Sequence, residues 1–551
     1  MERLPIGIQS FRAIIEDGDL YADKTRFIYD LASKKGAYFL SRPRRFGKSL
    51  LLATFKELFS GPTGQDGDPR GLFEGLWIGS SDFDFTRKFP VVSLSMSGGT
   101  ESLDVLKDSL MEQLNFLNLT ENLNLSLTLP TSALHMVIKN LSLKHKTRVV
   151  VLIDEYDAPV SSNLADPKLA VAFSNFLKSF YASLKDLDDY LRFVFVTGVT
   201  RYAFMGLSAG LNQLADLTFD DRFSEICGFT TQELDRYFGK RMPSVLSLLK
   251  KEGSLPKNAG RAVLRQLLMD WYGGYSWDGK TKLLNPWSVL RFFYKPGFYD
   301  YWGEMDNSSS FLSSLPDNGD KDPLVLAKDS FELIPQRAIR SADIGKLKTV
   351  PALFQTGYLT VDKVKKIMYQ GVFYTLKKPN LEVRIHSLDL FSESMFAILK
   401  KTPQAERDFF SMAVRDKDAE RLTDVFGSLF AGLDPSHHQP TESFYNALVY
   451  AYCSKLGRLA LSEPRGSKGT PDLALLFQTP SSCVCAVIEL KFDRGETAKD
   501  KRKLVFRLAD DALKAIETKD YWRPYKAQAD LLVKIGIGVT YRGECLVKTA
   551  E

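Results

Sequence analysis

Histidine and cysteine are scarce in this chain, five of each among 551 residues. So few imidazoles leave little material for a zinc hydrolase or a Ser-His-Asp nucleophile. The cysteines (Cys227, Cys453, Cys483, Cys485 and Cys545) contain no C-x-x-C pair, so free buried thiols are expected rather than zinc or disulfides. Cys483 and Cys485 are two residues apart, which on a strand puts both on one face. His437 and His438 fall in a loop bearing Pro and Ser. Also missing is any apolar run long enough to span a bilayer, and the opening MERLPIGIQSF lacks a secretory pattern. A cytoplasmic protein is expected. Internal repeats and low-complexity tracts are absent too. What remains is 44% hydrophobic and 25% charged, ordinary for a globular protein, and the length calls for two to four domains. The net charge of +6 permits nucleic-acid binding without requiring it.

Ala37–Leu52 reads AYFLSRPRRFGKSLLL: an apolar strand, a cationic loop ending Gly47-Lys48-Ser49, and a helix start. This arrangement suits a nucleotide phosphate. Backbone N–H groups of the loop and helix N-terminus face the anion, Lys48 reaches the terminal phosphates, and Ser49 can hold Mg²⁺. Arg42 stands where the usual G-x-x-x-x-G-K-[ST] pattern has its first glycine.

Downstream, RVVVLIDEYD (148–157) has the continuous apolar character of a strand buried on both faces. Asp154 would sit at its carboxyl end and hold Mg²⁺ through water, while Glu155 polarises the water that attacks the γ-phosphate. Pro90–Ser97 and Leu191–Val199 are two further strands. Helix-like stretches lie between (Glu101–Phe116, Thr131–Leu143 and Pro167–Leu184), and such alternation predicts a doubly wound parallel sheet. Thr197, closing the fourth strand, could sense the γ-phosphate, and Arg201 could neutralise phosphate charge in its own subunit or a neighbour's.

Thr230-Thr231-Gln232-Glu233 has the form of a capping box opening a helix where that sheet should end. The pattern stays mainly helical to about Tyr299, consistent with a lid, and its aromatics (WYGGYSW, 271–277) are expected in a core. Asn307–Asp322 is the best linker, and 353–376 holds short strand-like runs, with helix following to about Gly432. The division expected is 1–230 for a P-loop ATPase domain, 231–390 for a helical lid and connecting region, and 391–551 for a nuclease-like domain.

That last assignment rests on a second constellation. Asp472 precedes LALLF, and after the QTPSS turn comes CVCAVIELKF, carrying Glu489 and Lys491. Pairing as a hairpin brings Asp472 near Glu489, and alternation puts Glu489 and Lys491 on one face. Two adjacent carboxylates repel and call for a cation, for which oxygen ligands select Mg²⁺ or Mn²⁺. Lys491 could orient or deprotonate a water for attack on a phosphodiester. Glu442 opens an amphipathic helix (Thr441–Leu456) and can supply a third carboxylate. Asp, spacer, Glu-x-Lys is the pattern written PD-(D/E)-x-K.

Together, YADKT (21–25), RPRRFGKS (42–49), LIDEYDAPV (152–160), TGVTR (197–201), GLNQLADLTFD (210–220), CGFT (227–230), YGGY (272–275), NPWS (285–288) and GTPDL…VIELKF carry a resemblance. The chain resembles a bacterial family that fuses an AAA-ATPase-like domain to a C-terminal PD-(D/E)XK nuclease-like domain. The resemblance implies an α/β fold: an AAA+-like parallel P-loop sheet with a helical lid, followed by a restriction-endonuclease-like α/β domain. It implies nucleotide binding by Lys48, Ser49, Asp154 and Thr197; Arg42, Arg45, Gly47 and Arg201 are expected at the nucleotide with them. Catalysis falls to Glu155, Asp472, Glu489 and Lys491, and metal binding to Ser49, Asp154, Glu442, Asp472 and Glu489. Arg42 in place of glycine is usual in this group. Relatives carry a Gln in a helix resembling A-L-x-Q-I, where this chain has Ala515.

Two functions follow. One is an ATP-hydrolysing protein whose nucleotide state regulates a Mg²⁺-dependent nuclease on DNA or RNA. The other is a nucleotide-gated switch or scaffold whose nuclease fold only binds nucleic acid or protein. Homo-oligomerisation is possible, with Arg201 donated between subunits, and no membrane partner is expected.

Overall fold

The computed structural model describes every residue except 1, 62–69, 202–213, 253, 256, 304–322, 327–329, 341–347, 400–402, 432–440, 455, 457, 460–471, 479–482, 496–499, 527–528, 542 and 551. The proposed linker Asn307–Asp322 and the His437-His438 loop lie outside the described residues. The chain divides into two compact units, Met1–Lys321 with Ser330–Arg384, and Asp322–Asp329 with Ile385–Glu551. The region from 231 to 384 thus belongs, apart from 322–329, to the same unit as the phosphate loop. The break expected at 390 and the boundary at 384 both fall within one helix, Leu381–Leu399.

The first unit is built on five parallel strands: β1 (Gly36–Ser41), β2 (Val91–Ser95), β3 (Val149–Asp154), β4 (Leu191–Gly198) and β5 (Leu214–Asp216). Their order is β2-β3-β4-β1-β5. β4 is inserted between β1 and β3, pairing Leu40 with Thr197 on one side and Ile153 with Val196 on the other. This sets the end of β4 between the phosphate loop and the acids that close β3. Apolar side chains cover β3 without a break because both faces are buried: Val149, Val151 and Ile153 share a core with Leu106, Leu110, Leu134, Val137, Phe173 and Leu177, and Val150 and Leu152 on the other face are fully buried too. The helices between strands, Leu103–Thr120, Pro130–His145 and Pro167–Ala182, lie close to the stretches expected from the sequence. β5 was not foreseen, since three residues carry too little pattern to read.

After the sheet, Thr230 caps the helix Thr231–Phe238: its hydroxyl accepts from Glu233 N–H, and the Glu233 carboxylate accepts from Thr230 N–H. Helices Met242–Lys251, Arg261–Tyr272 and Pro286–Tyr294 share a second apolar core built around Leu234, Phe238, Leu264, Leu268 and Phe292. The aromatics Tyr272, Tyr275 and Trp277 are buried, as expected of packing residues. The unit also contains an antiparallel sheet, β6 (Ser330–Pro335), β7 (Thr360–Ile367) and β8 (Gly371–Lys377), in the order β6-β8-β7.

The second unit carries a mixed five-stranded sheet, β9 (Arg458–Leu459), β10 (Leu473–Gln478), β11 (Cys483–Asp493), β12 (Leu531–Thr540) and β13 (Cys545–Ala550). The order is β13-β12-β11-β10-β9. β10 and β11 form the antiparallel pair expected, with Leu473 opposite Ile488. β11 then runs parallel to β12, linked through the helix Lys501–Thr518. β12 and β13 complete the sheet. Among the described residues no helix is long and apolar enough to cross a membrane.

Candidate functional site

The phosphate loop is shaped by two residues with left-handed backbone, Arg45 (φ 64°) and Gly47 (φ 93°). Gly47 precedes the helix Lys48–Ser60 as its N-cap, a position where a Cβ would be strained. Lys48 is buried, and its ammonium donates to the carbonyls of Arg42 (2.9 Å) and Pro43 (2.8 Å). Burial holds its pKa below the usual lysine value, with Asp154 the strongest opposing influence. The amine is therefore folded back on the loop that a phosphate would occupy. Ser49 follows, half-buried, in the first turn of the helix.

Asp154 ends β3, and its carboxylate accepts from Thr197 Oγ1 at 2.5 Å and from Glu155 N–H at 3.0 Å. Thr197 and Asp154 thus form a bonded pair across adjacent strands. Glu155 has a left-handed backbone (φ 51°) that turns it away from the strand direction. Burial, and then the Asp154 charge, raise its carboxyl pKa; Lys48 and Arg44 oppose the shift. Arg44 was not singled out in the sequence, although it is exposed and is the loop arginine whose charge reaches Glu155.

Two arginines expected at the nucleotide are engaged elsewhere. Arg42 is fully buried; its guanidinium donates to Ser41 O (2.9 Å) and Thr218 O (3.1 Å) and lies over Trp277, 3.9 Å from the ring centre. Desolvation lowers its pKa to about 10. Its work is to tie the loop to the body of the unit, because both its terminal amino groups donate to protein carbonyls. Arg201, also buried, is ion-paired with Asp216 at 2.7 Å, and its guanidinium lies over Phe39. A side chain so enclosed is not presented to a neighbouring subunit. Arg45 stands over Trp287 at 4.4 Å.

Asp157 is a residue that sequence reasoning missed. Fully buried, it accepts from Val199 N–H (3.1 Å), Thr200 N–H (2.6 Å) and the Thr200 hydroxyl. It ties the turn after β3 to the turn after β4, two residues beyond Thr197. Gly198 is required there, since a Cβ would stand 2.4 Å from Asp157 Oδ1. The signal was available: a third acid in LIDEYD, directly before a Pro-containing helix start.

In the second unit the hairpin gathers its carboxylates through the backbone of the opposite strand. Asp472 Oδ2 accepts from Leu490 N–H at 2.8 Å, and Glu489 Oε2 accepts from Asp472 N–H at 3.3 Å. Lys491 donates to Glu489 Oε1 at 3.0 Å and stands 3.6 Å from Glu442. Glu442 opens the helix Glu442–Ser454 and also accepts from Phe492 N–H at 3.4 Å. Glu489 is buried, whereas Asp472 opens to solvent on one side. Surrounding protein, followed by the Glu489 charge, pushes the Asp472 carboxyl up to about 6.

Three carboxylates facing one ammonium form a donor set chemically suited to a hard divalent cation. The arrangement is not a ready chelate, since among the described residues no three acids, histidines or cysteines are disposed to ligate one ion. Lys491 lies between Glu489 and Glu442, where a cation would be wanted. A metal held by Asp472, Glu489 and Glu442 would need that ammonium to swing aside. Ala515, on the helix packed against β12, is partly exposed and offers no polar side chain.

Residues 5–208 match the family model described as predicted AAA-ATPase, and residues 440–549 match that of the PD-(D/E)XK nuclease superfamily. The chain carries an AAA-ATPase-like domain and a C-terminal PD-(D/E)XK nuclease-superfamily domain. The first match spans β1 to β4 with the phosphate loop, Asp154 and Thr197; the second spans Glu442 to β13. The chain is also 29% identical to an uncharacterized protein in the vnfD 5' region of Azotobacter chroococcum mcd 1, over 97% of this chain and 96% of that protein.

Proposed function

We propose that this protein binds and hydrolyses ATP at the Lys48 loop, and that its nucleotide state regulates a magnesium-dependent nuclease acting on DNA or RNA. The observation that carries the proposal is the meeting of Asp472, Glu489, Glu442 and Lys491 at one end of the β10–β11 hairpin. A divalent cation bound there would neutralise charge on the scissile phosphate. Asp472, Glu489 and Glu442 would hold it, Mn²⁺ serving as well as Mg²⁺, and Lys491 would orient water toward the phosphorus. At the other site, Lys48 would leave Arg42 O and Pro43 O for the nucleotide phosphates. Ser49 and Asp154 would hold the accompanying Mg²⁺, Glu155 would polarise the attacking water, and Thr197 would report the γ-phosphate through Asp154.

A nucleotide-gated switch with a silent nuclease fold is the second reading. It is favoured by Ala515 and by the Lys491 ammonium standing where a metal would go. Cleavage of DNA and RNA substrates with Mg²⁺ or Mn²⁺, by wild type, Lys48→Ala and Asp472→Ala, separates the two. The nuclease reading expects cutting that Asp472→Ala abolishes and whose response to ATP is lost in Lys48→Ala. Cutting that survives Asp472→Ala would overturn it, and no cutting with any metal would leave the switch.

A further inference from the structure

The β7–β8 hairpin has features that neither active site uses. Residues 360–378 (TVDKVKKIMYQGVFYTLKK) hold five lysines and a single acid, Asp362, which is paired with Lys377 at 2.7 Å. Lys363, Lys365 and Lys366 are exposed along β7, the outer strand of its sheet. Alternation puts Lys363 and Lys365 on one face and Lys366 on the other, so positive charge flanks the ribbon. At the turn, Met368 is 78% and Tyr369 99% exposed. The backbone of Tyr369 is left-handed (φ 61°), which fixes the tip as a tight turn with Gly371 (φ 100°).

The root of the hairpin is firmly held. Ser276 N–H donates to Thr360 Oγ1 at 2.6 Å, and Val361 N–H donates to Ser276 O at 3.1 Å. Tyr374 is buried against Phe219. Residues flanking Ser276 grip the phosphate loop: Tyr275 and Trp277 both meet Phe46, at 5.0 and 5.4 Å between ring centres. Lysines on an outer strand can serve simply to discourage pairing with another sheet. That purpose calls for neither the aromatic ring nor the methionine presented at the tip.

We propose that the β7–β8 hairpin is a nucleic-acid-binding arm, its exposed Lys363, Lys365 and Lys366 contacting the phosphate backbone and Tyr369 stacking on a base. It rests on the nucleic-acid substrate of the reading above and adds where that substrate is gripped. A lysine ribbon ending in an exposed aromatic matches a charged backbone with π-faced bases. Because its root shares Ser276 with the aromatic segment gripping the loop, the arm is connected to the nucleotide site by three hydrogen bonds and two ring contacts.

The test is fluorescence anisotropy of full-length protein with a labelled single strand and its duplex, without divalent metal. Compared are wild type, K365E/K366E, Y369A and a control reversal of exposed lysines elsewhere, K178E/K251E, each checked for folding by circular dichroism. The expected results are a duplex salt slope shallower by about 2 for K365E/K366E and about tenfold weaker single-strand binding for Y369A. The control should bind as wild type does. Polyglutamate should compete poorly; equal competition would make the partner an acidic protein and overturn the proposal. Wild-type binding unchanged in K365E/K366E and Y369A would overturn the arm while leaving the nuclease reading standing. A wild type that binds neither strand nor duplex would overturn both.

Discussion

The Arg42 guanidinium lies against Trp277, 3.9 Å from the ring centre, while its N–H groups hold the carbonyls of Ser41 and Thr218. A residue in the position of the loop's first glycine is thus joined to a segment more than two hundred positions downstream. Phe46 repeats the connection by packing edge-on against Tyr275 and Trp277. A missing glycine takes backbone freedom out of the phosphate loop. Here the arginine replaces backbone freedom with anchorage, so the loop keeps its form through contacts rather than through its own sequence.

Replacing Arg42 with Lys should therefore destabilise the protein. A lysine cannot reach both carbonyls in a fork or lie flat on the indole. Loss of a buried cation–π contact costs about 2 kcal/mol, and leaving carbonyls unpaired adds about 1–3 kcal/mol. Thermal or denaturant unfolding should show the loss. Binding of an ATP analogue should weaken in Arg42→Lys even below the unfolding transition, because the carbonyls of Arg42 and Pro43 position Lys48.

Asp157→Ala should slow ATP turnover without direct contact to nucleotide. It removes three hydrogen bonds to Val199 and Thr200, two residues from Thr197. Each bond to a buried charged acceptor is worth about 1.5–3 kcal/mol, so a stability loss of several kcal/mol is expected. Asp157→Asn retains one acceptor oxygen and should lose less. A structural brace predicts that kcat recovers with stability in the Asn variant; equal kcat losses in Ala and Asn would point to a need for the charge itself.

Much of this was readable in the sequence. Continuous apolar runs marked β3 and β4, and Thr230 with Glu233 marked a helix start, because strand burial and capping are local matters. The nuclease pair was legible for the same reason: Asp472 and Glu489 flank one turn. What stayed hidden depended on distant partners. Arg42 and Arg201 were read by the loop and strand they follow, yet their partners are Trp277 and Asp216. Asp157 was not singled out, since its partners Val199 and Thr200 lie at the end of β4, more than forty positions away. β12 carried no motif, although it pairs with the strand bearing Glu489 and Lys491.

The raised carboxyl pKa of Asp472, about 6, gives a pH dependence with a definite sign. Unfolded aspartate titrates near 3.9, so the folded protein holds this proton more tightly. Below about pH 4 the acid is neutral in both states and costs nothing. As pH rises through 6 the folded state must carry the charge beside Glu489, and stability falls. Asp472→Asn should therefore match wild type in thermal midpoint near pH 4 and exceed it above pH 6, measured in a chelating buffer. A constant difference across that range would mean that the Asp472 charge is not strained.

Lys491→Ala should separate metal binding from cleavage. The ammonium sits 3.0 Å from Glu489 and 3.6 Å from Glu442, neutralising the charge that a divalent cation would otherwise meet. Removing it leaves Asp472, Glu489 and Glu442 without the cation in contact with them, so Mn²⁺ should bind at least as tightly as to wild type. Cleavage, by contrast, should fall about 100-fold or more, because general acid–base or orienting help of this kind contributes about 10²–10⁴-fold. Titration calorimetry with Mn²⁺ and a single-turnover cleavage assay on the same preparations measure the two effects. Tighter metal with lost cleavage would place Lys491 in the chemistry. Weaker metal binding would mean instead that the lysine holds the carboxylates in place, and its loss would act through their geometry.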